Sequence, residues 1–414
     1  MDFNDTPDEA RFRAEVRAFL QAHATLRRPD EPEARQRDED GADSLARAKA
    51  WQAKKFDAGF AGITWDKRWH GRGGTPIQQV IYNQEESRYV LPRGFFEIGL
   101  GMCLPTMIAY AAPAQLERFV RPALRGEEIW CQLFSEPAAG SDVAGLRTRA
   151  ERDRTGDGSD WILNGQKIWT SGAHYCDWGI VLVRTDPSVP KHAGLTMFFM
   201  AMNSPGIEVR PIRQISGASH FNEVFFTNVR VPDAQRLGPV GGGWKVSITT
   251  LMNERLAVGQ SPGPDAPDML RLVKALKIDG RPALEDAAVR DRLADWFVQA
   301  EGLKYTRFRT MTALSRGQTS GPEASITKVV SATKLQQIAS FGMDLLGMAG
   351  VVSDPALAPV QAWFQQALLY APGMRIAGGT DEILRNIIAE RVLGLPGDVR
   401  VDKDRPFNEP VAAR

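Results

Sequence analysis

The chain has 414 residues, of which 43% are hydrophobic and 24% are charged. These values are close to those of an average globular protein, so they exclude an intrinsically disordered chain and a small disulfide-stabilised scaffold. The 51 basic and 50 acidic residues leave a formal net charge of +1, which provides no general basic surface for nucleic acid.

Three cysteines, Cys103, Cys131 and Cys176, are too far apart for a C-x-x-C motif, and their odd number argues against a disulfide framework. The first residues are acidic and lack the basic and apolar regions of a secretory signal. The most apolar stretch, residues 95–112, contains Glu97 and is shorter than the ~20 apolar residues of a membrane helix. We therefore expect a cytoplasmic protein without a membrane span.

Helical patterns dominate the first 129 residues. Thr6, Pro7 and Glu9 provide an N-cap, a proline at the first helical position and a capping-box glutamate, so a helix is predicted to begin at residue 7. Apolar residues at helical spacing follow, and similar patterns cover residues 45–59 and 77–89. Residues 1–129 are therefore predicted to form a helical N-terminal domain.

Between residues 130 and 240, the apolar pattern changes to the runs that are typical of β-strands. Asn164 and Gly165 separate two such runs, and an Asn-Gly pair there predicts a β-hairpin because both turn residues need positive φ. Residues 130–240 are predicted to form a central β domain, and residues 241–414, which return to helical patterns, a helical C-terminal domain. Further strands are predicted over 179–184, 195–202, 207–212 and 223–231, and long helices over 287–313, 323–346 and 380–393.

Three motifs carry chemical information. Residues 134–145 read Phe-Ser-Glu-Pro-Ala-Ala-Gly-Ser-Asp-Val-Ala-Gly, and residues 164–172 read Asn-Gly-Gln-Lys-Ile-Trp-Thr-Ser-Gly. Residues 378–394 begin with Gly-Gly-Thr-Asp-Glu and continue as an apolar helical pattern. These motifs, together with the α-β-α order along nearly the whole chain, resemble the acyl-CoA dehydrogenase family.

The resemblance implies an α+β multidomain fold with a helical N-terminal domain, a central β-barrel or sandwich domain and a C-terminal four-helix bundle. It also implies an FAD-dependent enzyme of lipid metabolism that desaturates an acyl-CoA thioester and passes electrons to an electron-transfer flavoprotein. The resemblance also implies that the C-terminal helices associate into a homotetramer, and the apolar stripe over residues 383–388 needs such burial; a heteromer is the alternative.

A flavin ring is an apolar plane with a polar edge, so it needs an aromatic wall and a few fixed polar groups. By resemblance, the cofactor-binding candidates are Gln132, Ser135, Trp169, Ser171, Thr380 and Glu382. The substrate-binding candidates are Ser141, which is expected to contact the pantetheine, and Gly378, which leaves room for a bulky acyl group.

Desaturation of an acyl thioester needs a base for the α-proton, and a carboxylate whose pKa rises on desolvation suits this task. Many family members carry this glutamate just before the Gly-Thr of the third motif, where this chain has Gly378. Other members carry it on the first helix of the C-terminal domain, one residue before an arginine. Glu254 occupies that place here, so the resemblance assigns it as the base, with Arg255 tuning the site electrostatically.

Two segments depart from the family pattern. Residues 276–280 and 344–348 lack the cation, the aromatic residue and the glutamine that members direct at the FAD of a neighbouring subunit, and they add Asp279 and Asp344. Added carboxylates repel phosphate. Two other functions therefore stay open: a catalytically silent partner subunit of a heteromeric dehydrogenase, and a flavin monooxygenase or nitroalkane-type oxidase on the same fold.

Overall fold

The computed structural model describes residues 5–27, 42–155, 159–257, 263–315, 321–399 and 402–409. The chain divides into two compact units, the first comprising Met1–Thr25, Gln36–Ala257 and Asp398–Arg414, the second Leu26–Arg35 and Val258–Gly397. Each unit has its own buried apolar clusters. No helix in the described ranges is long and apolar enough to cross a membrane. This division differs from the boundaries at 129/130 and 240/241, which stay a prediction.

Helices form most of the N-terminal part of the first unit. The Thr6 hydroxyl accepts a hydrogen bond from the Glu9 amide at 3.3 Å, and the Glu9 carboxylate accepts one from the Thr6 amide at 2.7 Å. The predicted helix start is therefore confirmed. The elements are α1 (Pro7–His23), β1 (Thr25–Leu26), α2 (Ala42–Asp57), α3 (Pro76–Glu86), β2 (Tyr89–Val90), α4 (Leu104–Tyr110) and α5 (Pro113–Arg125).

The central part of the first unit is one mixed sheet, and the strands predicted over 179–184, 195–202, 207–212 and 223–231 are confirmed. Its strands are β3 (Trp130–Leu133), β4 (Arg149–Arg152), β5 (Trp161–Ser171), β6 (Trp178–Arg184), β7 (Leu195–Ala201), β8 (Ile207–Ile212), β9 (Phe221–Val231) and β10 (Arg236–Leu237). The sheet order is β10-β7-β6-β4-β5-β9-β8, and β3 pairs with β6 in parallel.

The predicted hairpin at Asn164 and Gly165 is wrong, because β5 runs continuously through both residues and pairs with β9. The ladder shifts register there, and the Asn164 side chain accepts a hydrogen bond from the Asn228 amide at 2.9 Å. A Cβ on Gly165 would lie 2.5 Å from Thr148 Oγ1, so this position requires glycine for a close approach. The Asn-Gly pair therefore marks a β-bulge and not a turn.

Helix α6 (Gly243–Ala257) belongs to the first unit and contacts α4 and β7. The second unit is a bundle in which α9 contacts α7, α8, α10 and α11. The predicted long helices are confirmed, except that regular helix after Thr380 ends at Ile387 and continues as a π-helix over Ile388–Val392. The elements are α7 (Ala266–Ala275), β11 (Lys277–Ile278), β12 (Arg281–Pro282), α8 (Ala287–Ser315), α9 (Ala324–Leu346), α10 (Trp363–Met374) and α11 (Asp381–Ile387).

The α+β architecture, with helical N- and C-terminal parts and a central β domain, is thus confirmed.

Candidate functional site

Trp169 lies near the end of β5 with its side chain 55% exposed. Its φ of 61° falls in the left-handed region, where a bulky residue is strained, and the β5–β9 ladder shifts register between Lys167 and Thr170. The Phe221 ring meets the indole edge-on, with centroids 6.1 Å apart. The fold therefore holds an aromatic plane toward solvent at an energetic cost.

Three further flavin candidates lie on segments that adjoin Trp169. Gln132 is in β3, and the loop after β3 runs beside β5, where the Ile168 amide donates to the Ser135 carbonyl at 2.9 Å. Ser171 is the last residue of β5 and lines a surface depression with Gly172, Tyr175 and His220, among others. Gln132, Ser135 and Ser171 are each half-buried. The first unit thus brings together the three candidates of the two central motifs with Gln132, which lies just before the first motif.

A buried ion pair, which the sequence analysis missed, ties these segments to each other. Lys167 is fully buried, and its Nζ donates to Glu136 Oε1 at 2.8 Å and to the Phe134 carbonyl at 3.0 Å. The Glu136 carboxylate also accepts the amides of Arg147 at 2.6 Å and Thr148 at 2.9 Å. The pair therefore joins β5, the loop after β3 and the segment before β4.

The protonation of this pair follows from burial and attraction. Burial lowers the pKa of Lys167 to about 8, although the charge of Glu136 partly offsets this effect. Burial raises the pKa of Glu136, but the Lys167 charge and the hydrogen bonds to the carboxylate outweigh it and hold the pKa below its ordinary value. Both groups are charged at neutral pH. The motifs contain both residues, yet nothing in their spacing indicates that they pair.

The Ser141 side chain is exposed on a loop of small residues, where a ligand can reach it. The next residue, Asp142, accepts a hydrogen bond from Lys191 Nζ at 3.0 Å. A short 3-10 turn, Val143–Gly145, follows. The structure therefore leaves Ser141 accessible and anchors the chain directly after it.

Helix α6 carries the predicted base. Thr250, one turn before Glu254, is fully buried, and its hydroxyl lies 2.8 Å from the hydroxyl of Thr106 on α4. This hydrogen bond fixes the backbone of α6 within the first unit. Glu254 and Arg255 fall in the last turn of α6, where the side chains lie outside the described residues, so their roles stay predictions.

The remaining candidates lie in the second unit, in the turn before α11 and on the first turn of that helix. Gly378 and Gly379 have φ of 67° and 94°, and the Thr380 hydroxyl caps α11 by accepting the Ile383 amide at 3.3 Å. Glu382 is exposed on the first turn. The two glycines are thus required by the backbone of the turn.

Two cations brace this turn. Lys328 on α9 is 8% exposed, and its Nζ donates to the Gly379 carbonyl at 2.6 Å. Arg375 donates to the buried Asp381 carboxylate through Nε at 2.7 Å and to Gln336 at 2.9 Å. The turn is therefore fixed from both sides, and the sequence motif did not indicate Lys328, which lies fifty-one positions before Gly379.

The two departures from the family pattern have local structural explanations. Asp279 and Gly280 have φ of 50° and 80° and form the two-residue turn between β11 and β12. Aspartate and glycine are residue types that tolerate such φ values. Gly347 ends α9 with φ of 51°, and Asp344 is exposed one turn earlier. Gly280 and Gly347 therefore provide the positive φ that these two chain reversals need.

Family models match three consecutive segments of the chain. Residues 6–127 match the acyl-CoA dehydrogenase N-terminal domain, residues 131–229 the middle domain and residues 241–393 the C-terminal domain.

Individual proteins agree with these matches. Acyl-CoA dehydrogenase FadE34 of Mycobacterium tuberculosis (strain ATCC 25618 / H37Rv) is 40% identical over 347 residues, 83% of this chain and 46% of FadE34, so the chain spans about half the length of that relative. Acyl-CoA dehydrogenase IpdE1 of Mycolicibacterium smegmatis (strain ATCC 700084 / mc(2)155) is 35% identical over 360 residues, 85% of this chain and 89% of IpdE1. The solved Tcur3481-Tcur3483 steroid ACAD superimposes with a TM-score of 0.77 at 26% identity, covering 96% of this chain and 100% of that chain. The chain therefore belongs to the acyl-CoA dehydrogenase family of oxidoreductases.

Proposed function

We propose that the chain is an FAD-dependent dehydrogenase that introduces a double bond between the α- and β-carbons of an acyl-CoA thioester. The observation that carries this proposal is Trp169, a strained and exposed aromatic plane within the second of the three family motifs. The proposed enzyme acts in lipid metabolism in the cytoplasm. Its proposed domains are residues 1–129, 130–240 and 241–414.

The residues of the first unit fit a flavin. Family members bind FAD, and Trp169 supplies the aromatic wall while Ser135 and Ser171 supply polar groups beside it. Thr170, between Trp169 and Ser171, has a buried hydroxyl without a hydrogen-bond partner in the described structure, which suits a site that a bound group completes. Thr380 and Glu382 are further proposed contacts of the cofactor. When bound, FAD supplies the acceptor for the hydride of the β-carbon.

The chain's own groups handle the substrate. Glu254 removes the α-proton, and Arg255 tunes the electrostatics of that carboxylate. Ser141, exposed on its anchored loop, binds the pantetheine end. Gly378 provides space because it has no side chain. Since the superimposable structure is a steroid ACAD, the substrate class that we favour is an acyl-CoA bearing a ring system.

The visible spectrum of the purified protein, followed by anaerobic titration with acyl-CoAs, tests this function. We expect a flavin spectrum that acyl-CoA bleaches, most readily a ring-bearing acyl-CoA. Electron-transfer flavoprotein should then reoxidise the reduced flavin. Flavin that no acyl-CoA bleaches would favour the silent subunit. Reduction by nitroalkanes with oxygen uptake would favour the oxidase.

Replacing Trp169 or Ser171 by alanine should impair flavin function more than folding. The ring would lose its wall or a polar contact, whereas β5 keeps its ladder to β9. Flavin content per chain and the rate of flavin reduction measure the first effect, and far-ultraviolet circular dichroism measures the second. Wild-type flavin content and turnover in both variants would contradict the placement.

We also propose a homotetramer, with electron-transfer flavoprotein as a transient partner. Leu384 is buried within the second unit, but Ile383 on the same helix is 37% exposed and Ile376 just before it 67%. Association of copies would cover such apolar surface. Light scattering should give four times the 45.7 kDa of one chain, and a mass near 45.7 kDa would reject the assembly.

A further inference from the structure

Residues 402–409, here called the C-terminal strap, lie within the first unit and pack on the loop between β6 and β7. The Phe407 amide donates to the Val189 carbonyl and the Asn408 amide to the Pro187 carbonyl, each at 3.0 Å. An isolated β-bridge joins Pro406 to Pro190. Three successive backbone contacts therefore fix the strap against one surface.

The strap covers an unusual buried cation, Arg184, at the end of β6. The Arg184 side chain is 4% exposed, and burial lowers its pKa to about 10. Its described hydrogen-bond partners are carbonyl oxygens: Ala144 at 2.6 Å, Leu146 at 3.1 Å and Lys191 at 3.1 Å. Phe407 lies over the guanidinium, with 3.5 Å between the ring centroid and Cζ. The ring thus takes the place of solvent above the cation.

A second contact reaches the same loop from the strap. Lys191 Nζ donates to Asp402 at 2.6 Å and to Asp142 at 3.0 Å. Asp402 thereby holds the ammonium group that anchors Asp142, while Arg184 holds the carbonyls of Ala144 and Leu146. The contacts through Lys191 and those through Arg184 therefore both reach residues 142–146, directly after Ser141.

We propose that the C-terminal strap holds residues 141–147 in the conformation that binds acyl-CoA, with Phe407 and Asp402 as positioning residues. The part that concerns acyl-CoA rests on the proposed function. Loss of the Phe407 ring exposes Arg184 to water, and the guanidinium then exchanges carbonyl oxygens for solvent. Residues 141–147 then lose the hydrogen bonds from Arg184 to the Ala144 and Leu146 carbonyls and sample conformations in which Ser141 is displaced.

The test compares Phe407→Ala with Phe407→Tyr, which keeps the ring, and with Lys403→Ala, an exposed position of the same strap. Limited trypsin digestion of the holoenzyme, with mass spectrometry of the cut after the exposed Arg147, reports on the loop without substrate. Phe407→Ala should be cut there about tenfold faster, and the other two variants at the wild-type rate. Its KM for acyl-CoA should rise about tenfold, whereas kcat and flavin content stay unchanged.

Two results would overturn the proposal. Equal cleavage after Arg147 in wild type and Phe407→Ala would show that the strap does not hold the loop. Faster cleavage with an unchanged KM would show that the held conformation is not needed for substrate binding. If the wild-type flavin is not bleached by any acyl-CoA, the proposed function fails, but the cleavage comparison still decides whether the strap holds the loop. Melting temperatures of all variants separate local loosening from global unfolding.

Discussion

The Glu254→Gln variant is expected to retain flavin and to bind acyl-CoA, while its rate of flavin reduction falls by about 10²-fold or more. The substitution keeps the size of the side chain and removes its basicity. Glu254 is the only carboxylate at either position from which the family abstracts the α-proton, because the other position is Gly378. Anaerobic stopped-flow measurement with a substrate that bleaches the wild type gives the rate.

Two further variants sharpen this measurement. Glu301→Gln removes a carboxylate that is paired with Lys304 on α8 and should reduce flavin at the wild-type rate. Adding Gly378→Glu to Glu254→Gln should restore only part of the activity, because residue 378 has φ of 67°, where a side chain costs about 1–2 kcal/mol. Wild-type reduction by Glu254→Gln alone would show that Glu254 is not the base and would reopen the silent-subunit and oxidase hypotheses.

The Lys167→Met variant is expected to lose about 3 kcal/mol of the free energy of unfolding, the lower range for removing one partner of a buried ion pair. Glu136 would stay buried without its Lys167 partner, retaining the hydrogen bonds from the amides of Arg147 and Thr148, and the Phe134 carbonyl would lose its donor. Thermal unfolding followed by circular dichroism should show a melting temperature lower by several degrees.

Adding Glu136→Gln should recover part of this loss, because the double variant no longer buries the Glu136 charge without its Lys167 partner. Lys304→Met is the matched control: Lys304 pairs with Glu301 at 3.0 Å on an exposed helix face, and its loss should not change the melting temperature measurably. If the Lys167→Met variant has the melting temperature of the wild type, the ion pair is not needed to join the motif segments.

Local sequence signals predicted most helices and strands, because capping residues and apolar periodicity act within a few positions. The Thr6 capping box is an example, and the structure confirms it. The Asn164-Gly165 signal misled because Asn228 and Thr148, far away in the sequence, decide the conformation there. The pairing of Lys167 with Glu136 and that of Lys328 with the Gly379 carbonyl have the same long-range origin, so no local pattern could indicate them. For the site, the family motifs supplied the candidate residues, and the tertiary contacts show what holds the segments that carry them.

The backbone of Trp169 has an evolutionary consequence. Trp169 has a left-handed backbone conformation, which costs about 1–3 kcal/mol for a residue other than glycine. More than half of this large apolar residue is also exposed to water. Selection for heat tolerance alone would replace it, most simply with glycine. Under the proposed function, FAD binding at Trp169 offsets this loss of stability, so any programme that optimises this chain for thermal robustness must hold position 169 constant.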